Sequence, residues 1–224
     1  ILESTIANVN EYMNNHSGEM NALAINSLGE ALGNAEEALT EDYDTMYGAL
    51  TALNAAQAAA KEHVAAYAAL TNAQILMEEA ANIYTETASI EALEAYAATS
   101  AKLEDVDNMT TEEIIALTDE CNYVAAALKL PSTVSEATDE NPVDLTTMIV
   151  NADFIEGAEV GWSYTMDGGN GPKYDNGYSG PGFEFWNGTV TNLAFDIYQT
   201  LSALPEGKYT LAADLANSYN GQTP

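Results

Sequence analysis

Arginine is absent from this sequence, and lysine occurs only five times (Lys61, Lys102, Lys129, Lys173 and Lys208), against 35 Asp and Glu residues and a formal net charge of −30. A nucleic-acid partner needs clustered cations opposite its phosphates, and five scattered lysines cannot build such a patch. The same shortage disfavours docking on an anionic membrane surface. What the acidity does supply is a solvated surface that resists association. Cysteine occurs once, at Cys121, so no internal disulfide forms and the redox compartment is unmarked. No apolar run approaches the roughly 20 residues of a membrane span, so no membrane insertion is expected from this segment. No signal-peptide pattern opens the chain either. It begins at Ile1 in what reads as mid-helix, and the expectation is a piece of a longer polypeptide.

Tryptophan and phenylalanine are missing until well past position 140, and eleven of the fifteen glycines also lie beyond it. Alanine and glutamate favour helix, whereas aromatics separated by glycine-rich turns favour strand, so the change in composition marks a domain boundary. Three segments are expected: a helical region over 1–130, a linker over 131–143 and a strand region over 144–224.

In the helical region Met46, Leu50, Leu53, Gln57, Ala60, Val64 and Tyr67 follow 4-3 spacing, the stripe of a long amphipathic helix. Met20, Leu23, Leu28, Ala31, Ala35 and Leu39 form an earlier stripe. Ile90, Leu93 and Ala97 begin a third, and Ile114, Leu117, Cys121, Val124 and Leu128 make the last. Breaks are expected at Asn14–Gly18, Thr40–Asp42 and Asp105–Asn108. Thr110 with Glu113 three residues on reads as a capping box, and Pro131 stops the last helix at the residue before it. The seams are rich in alanine, which lets helices approach closely but buries little area per residue. The composition suits a spacer or stalk.

"PSTVSEATDENP" has no periodicity and reads as a linker. Beyond it, "TTMIVNADF" reads as a short strand. "AFDIYQTL" alternates Phe195, Ile197, Gln199 and Leu201 with Asp196, Tyr198 and Thr200. "LPEG" supplies a turn, and "KYTLAADL" resumes the alternation, so strand, turn and strand predict a hairpin.

"VNADFIEGAEVGW", then "GFEFWNG", then "FDIYQTLSALPEGKYTLAAD" together resemble a galactose-binding-like β-sandwich, the fold of several carbohydrate-binding modules in secreted, multi-domain proteins of glycan-degrading gut bacteria. The residues that carry the resemblance are Asn151, Asp153 and Phe154, then Gly161 and Trp162, then Ile197, Gln199 and Leu201, then Leu204, Pro205, Gly207 and Tyr209. The helical region resembles the short three-helix repeats of bacterial cell-surface proteins, in which a "TxEE" turn precedes a helix ending in "AAL", as in Thr110–Leu128. The fold class implied is an N-terminal antiparallel α-helical bundle followed by a partial antiparallel β-sandwich of jelly-roll type. A sandwich of this kind uses about eight strands, and only five stretches qualify here, so the last domain is expected to be incomplete. Its open edges are then expected to leave the last part poorly packed, or to be completed by something else such as other domains of the same polypeptide.

The resemblance implies a secreted or cell-surface location and a glycan as partner. Sugar recognition sets an aromatic face under the pyranose ring and uses amides and carboxylates for its hydroxyls. Trp186, Glu184, Asn187 and Tyr178 carry that chemistry. The competing reading is that Trp186 only packs against the core, since Phe183 and Phe185 alternate with Glu184 and Trp186. Trp162 reads as a core anchor. The glycine-rich "MDGGNGPKYDNGYSGPG" reads as a long loop, bordering the ligand or merely connecting. Asp167, Asn170 and Asp175 are oxygen donors suited to calcium. Related sandwiches hold a structural calcium partly through C-terminal strands, so it is expected only in the complete sandwich and no metal ligand is assigned here.

"EDVDNMTTEE" fails as an EF-hand because Met109 takes a ligand position and no glycine follows it. His16 and His63 have no metal-ligand partner one helical turn away and are expected at the surface. Cys121 lies on an apolar stripe and is expected in the core. No nucleophile elbow, phosphate loop or metal tetrad occurs, so no catalytic residue is assigned and the chain reads as non-catalytic. Two readings stand beside the glycan-binding one: a purely structural or adhesive surface domain, and an accessory region of a glycoside hydrolase whose catalytic domain lies elsewhere.

Overall fold

Four of the five helices begin where a side-chain oxygen satisfies an otherwise unpaired amide. A computed structural model describes residues 1–157, 160–167, 170–174, 182–186 and 194–214. Its helices are α1 (Leu2–His16), α2 (Ala22–Glu37), α3 (Tyr43–Tyr84), α4 (Ile90–Leu103) and α5 (Thr111–Leu128). Asn21 accepts from Ala24 N–H at 3.0 Å to start α2, and Asp42 accepts from Thr45 N–H at 2.9 Å to start α3. Those bonds hold the exposed Asp42 carboxyl below its ordinary pKa. Ser89 starts α4 in the same way. Thr110 and Glu113 form the anticipated capping box, with Thr110 N–H donating to the Glu113 carboxylate at 2.8 Å.

The expected breaks at Asn14–Gly18, Thr40–Asp42 and Asp105–Asn108 are all present, each occupied by a short 3-10 turn. The break between α3 and α4 was not anticipated. It falls at Thr85–Ser89, where Ser132 N–H donates to Thr87 C=O and Ala88 bridges Pro131. That bridge sets the ends of α3 and α5 side by side, so α5 runs parallel to the second half of α3 and α4 runs against both.

Two apolar cores flank α3. The first gathers Ile6 and Val9 of α1, Leu28 and Leu32 of α2, and Leu53 and Ala60 of α3. The second gathers Leu70, Ala73 and Met77 of α3 with Ile114, Cys121 and Leu128 of α5, and Ala92 of α4 adds to it. The helical region is therefore two three-helix bundles that share one helix. The units match in sequence order: a helix, a 3-10 turn, Met20-Asn21 before α2 in the first and Met109-Thr110 before α5 in the second. At 1.5 Å per residue the 42 residues of α3 span roughly 63 Å.

The long stripe expected on α3 does not stay in phase. Met46, Leu50, Leu53 and Ala60 follow it, but the buried positions then become His63, Ala66, Leu70, Ala73, Met77 and Ala80. That is the same 3-4 spacing moved one residue toward the N-terminus, which turns the buried face by about 100°. Val64 and Tyr67, expected on the seam, are only partly buried. His63, expected at the surface, is 3% exposed because it stands where the two seams meet.

Beyond α5 the chain makes 3-10 turns at Ser132–Glu136 and Thr146–Met148, with Met148 buried. The strand expected over "TTMIVNADF" does not form there. Asn151 and Phe154 take left-handed backbone angles (φ 51° and 58°), which an extended strand excludes. The strands are β1 (Ser163–Asp167), β2 (Asn170–Tyr174), β3 (Phe183–Trp186) and β4 (Ala194–Tyr198). They pair antiparallel as β1 with β4 and β2 with β3, in two separate two-stranded sheets. The described strands thus show antiparallel pairing, which is the coarse part of the expected β-region; two such pairs do not amount to a sandwich. The stretch expected as one long glycine-rich loop contains β2. The expected hairpin from "AFDIYQTL" into "KYTLAADL" is absent among the described residues: β4 takes β1 as its partner and residues 199–214 lie in no strand. Two features divert the chain there. Gln199 is turned to Val150, and Ala203 adopts φ 60°.

Candidate functional site

The anticipated sugar-contacting residues fall partly on β3. Glu184 and Trp186 belong to that strand, whereas Asn187 and Tyr178 lie outside the described residues. Across the sheet Glu184 stands opposite Lys173 and Trp186 opposite Asn170. A step of three residues on β2 meets a step of two on β3, so the register carries a bulge between Asn170 and Lys173. The bulge sets Asn170, Lys173, Glu184 and Trp186 at neighbouring backbone positions of one strand pair. Of the oxygen donors considered for calcium, Asp167 closes β1 and Asn170 opens β2, while Asp175 lies outside the described residues.

The motif residues that prompted the resemblance hold backbone in place. Asn151 donates through Nδ2 to Gly157 C=O at 2.7 Å and to Val160 C=O at 3.2 Å, and its Oδ1 accepts from Glu156 N–H at 3.1 Å. One amide thereby ties Asn151 to Glu156, Gly157 and Val160. Asp153 accepts from Ile155 N–H at 3.2 Å. The Trp162 indole N–H donates to Asn151 C=O at 3.2 Å, and its ring lies 5.2 Å from that of Phe154. Trp162, expected as a core anchor, is only half-buried in this contact and belongs to neither apolar core. Gly161 takes φ 76°, and a Cβ placed there would sit 2.6 Å from Val150 Cγ1. Val150 is gripped from the other side: its N–H donates to Gln199 Oε1 at 3.0 Å and its C=O accepts from Gln199 Nε2 at 2.7 Å. Gln199 acts as a one-residue substitute for a neighbouring strand.

A second polar centre lies where the bundles join. Asn21, 1% exposed, donates through Nδ2 to Val106 C=O and to Met109 C=O, both at 2.8 Å. Asn21 N–H points at His63 Nε2 at 3.4 Å, and His63 Nδ1 lies 3.2 Å from Thr111 Oγ1. Because Nε2 accepts, Nδ1 carries the proton and donates to Thr111. In that tautomer His63 does not withdraw the Thr111 proton, so the pair is no activated nucleophile. Burial lowers the His63 pKa and keeps the imidazole neutral. An open cleft of about 290 Å³ adjoins the centre, with Ser27, Glu62, Thr110 and Glu112 among its lining residues. Asn21 and His63 were missed in the sequence. A histidine one residue out of phase with the stripe that precedes it reads as a surface residue, so the sequence carried no signal for this centre.

Elsewhere in the bundles, Thr99 and Lys102 of α4 both donate to Glu120 of α5, at 2.8 and 2.7 Å. The Lys102 bond holds the Glu120 carboxyl below its ordinary pKa. Cys121 is buried in the second core as anticipated, and burial raises its thiol pKa, which suppresses the reactive thiolate. Among the described residues no helix is long and apolar enough to cross a membrane. No family model matches the chain, and no curated protein and no solved structure matches it significantly.

Proposed function

We propose that the chain is a non-catalytic spacer of a secreted or cell-surface bacterial protein, whose helices carry a partial β-sandwich that takes a glycan. The observation that supports the spacer is α3, one helix belonging to both bundles. Two domains joined by a loop bend at the loop, whereas a helix packed along both of its halves resists bending. The strand region then supplies the contact surface, with Trp186 under the sugar ring and Glu184, Asn187 and Tyr178 on its hydroxyls. A charge of −30 favours neutral or amino sugars over sulfated or uronic ones, within the screening length of about 8 Å at physiological salt.

The test is a glycan array probed with the full-length polypeptide and with its Trp186→Ala variant. Retention on neutral or amino glycans, reduced at least tenfold in the variant, is the expected result. No retention on either class sinks the reading.

The purely structural reading has one observation in its favour. Val150, Gln199 and Leu201 of the strand region line a groove together with Ile83 and Tyr84 of α3 and Ala126 of α5. In that reading the strand region serves to pack on the second bundle, and Trp186→Ala leaves surface attachment unchanged.

A further inference from the structure

The two bundles share α3, and the polar centre at its middle ties them together a second time. Asn21 begins α2, Val106 and Met109 flank the start of α5, and Thr111 is the first residue of α5. All of them are connected through the buried side chains of Asn21 and His63. We propose that His63 is the pin of a pH-sensitive joint: neutral, it locks the first turns of α2 and α5 to the middle of α3, and protonated, it releases them.

The neutral ring suits its place because it offers one acceptor and one donor, which Asn21 N–H and Thr111 Oγ1 use. An imidazolium has two donors and no acceptor. Asn21 N–H would then face a second N–H across the same 3.4 Å, with no acceptor in place of the lost one. The N-termini of α2 and α5 both meet at this point, so two helix dipoles present their positive ends to the new charge.

The charged groups around the joint do not offset this. Lys61 and Glu62 flank His63 on α3, and Glu62 lines the cleft together with Glu112 of α5. Glu113 is committed to the capping box. Asp107 lies on the exposed turn before α5, and Glu19 is bound to His16 at 2.7 Å. Tyr67 is stacked on His63 with ring centroids 6.0 Å apart.

In the released state the imidazole is solvated and titrates near its ordinary value of about 6.5. In the joined state burial holds it lower. The preference for the joined state is therefore complete above about pH 6.5 and declines as the pH falls below that value toward the depressed one. The spacer would be stiff at neutral pH and would loosen in acid, whether or not the strand region binds a sugar.

The test uses the full chain with spin labels at Glu36→Cys on α2 and Asp119→Cys on α5, Cys121 being buried, and reads distances between labels at pH 7.5 and 5. The expected result is one narrow distribution at pH 7.5 that broadens at pH 5, with no such change in His63→Gln. A distribution unchanged by pH, or one that broadens equally in the variant, overturns the proposal. Should His63→Gln not fold, NMR of the unlabelled wild type decides. The Asn21 and Thr111 amide signals should follow the titration of the His63 ring, below the ordinary histidine value. If they stay fixed, or follow the carboxylates instead, the joint is not pinned by His63.

Discussion

The helical and strand regions are held together by different means. In the helices, buried apolar side chains from distant parts of the chain meet in two cores, and polar groups act mainly at the ends, as caps. In the strand region polar side chains clasp the backbone: Asn151 holds Gly157, Gln199 grips Val150, and the Trp162 N–H reaches Asn151. Among its described residues several large apolar side chains are exposed, with Leu211 at 81% and Ile155 at 64%. A core gains from every methylene it buries, whereas a clasp gains only the modest net energy of its hydrogen bonds, about 1 kcal/mol each. The first arrangement resists local change, and the second depends on a few residues that nothing else replaces.

Substitutions in each region sharpen this contrast. The largest effect is expected from Ile114→Ala, which empties a fully buried site in the second core and should cost about 3 kcal/mol. Urea unfolding followed by helical circular dichroism would show it, with the Trp162 indole N–H signal unmoved at low urea. If that signal disappears together with the helices, the regions are not independently held. Gly161→Ala should act in the opposite sense. A Cβ at φ 76° and 2.6 Å from Val150 is expected to cost the strand region about 2 kcal/mol, shifting the Trp162 signal and leaving the helical transition in place. Thr110→Ala removes one cap and should lower the helical transition by about 1 kcal/mol, an effect that hydrogen exchange would locate in the first turn of α5. Lys102→Met is expected to be smallest, under about 1 kcal/mol, because its bond to Glu120 is half in solvent.

The same contrast explains how much could be read from the sequence. Ile114, Leu117, Cys121, Val124 and Leu128 repeat at helical spacing, and all are buried as their pattern requires. Thr110 and Glu113 announced the start of α5 because capping chemistry is local. The phase shift at His63 was hidden because it arises from a neighbouring bundle and not from α3 itself. In the strand region, alternation in "AFDIYQTL" and "FEFW" marked two strands, but their partners were set elsewhere. Alternation fixes which residues share a face and is silent on which strand lies alongside. Thus β4 found β1, and "KYTLAADL", with equally regular spacing, joined no sheet within its described part. Of the candidate sugar contacts, Glu184 and Trp186 were legible as strand residues. The bulge that sets Lys173 and Asn170 opposite them depends on pairing and was not.

Everything said of the spacer depends on α3 being one helix through both bundles. Hydrogen exchange measured amide by amide from Leu53 to Met77 at neutral pH tests this most directly. A single shared helix should show strong protection without a gap, with the amides of Ala59–Val64 exchanging as slowly as those beside either core. Rapid exchange confined to Ala59–Val64 would mean two helices meeting at a break, and would contradict the shared-helix spacer.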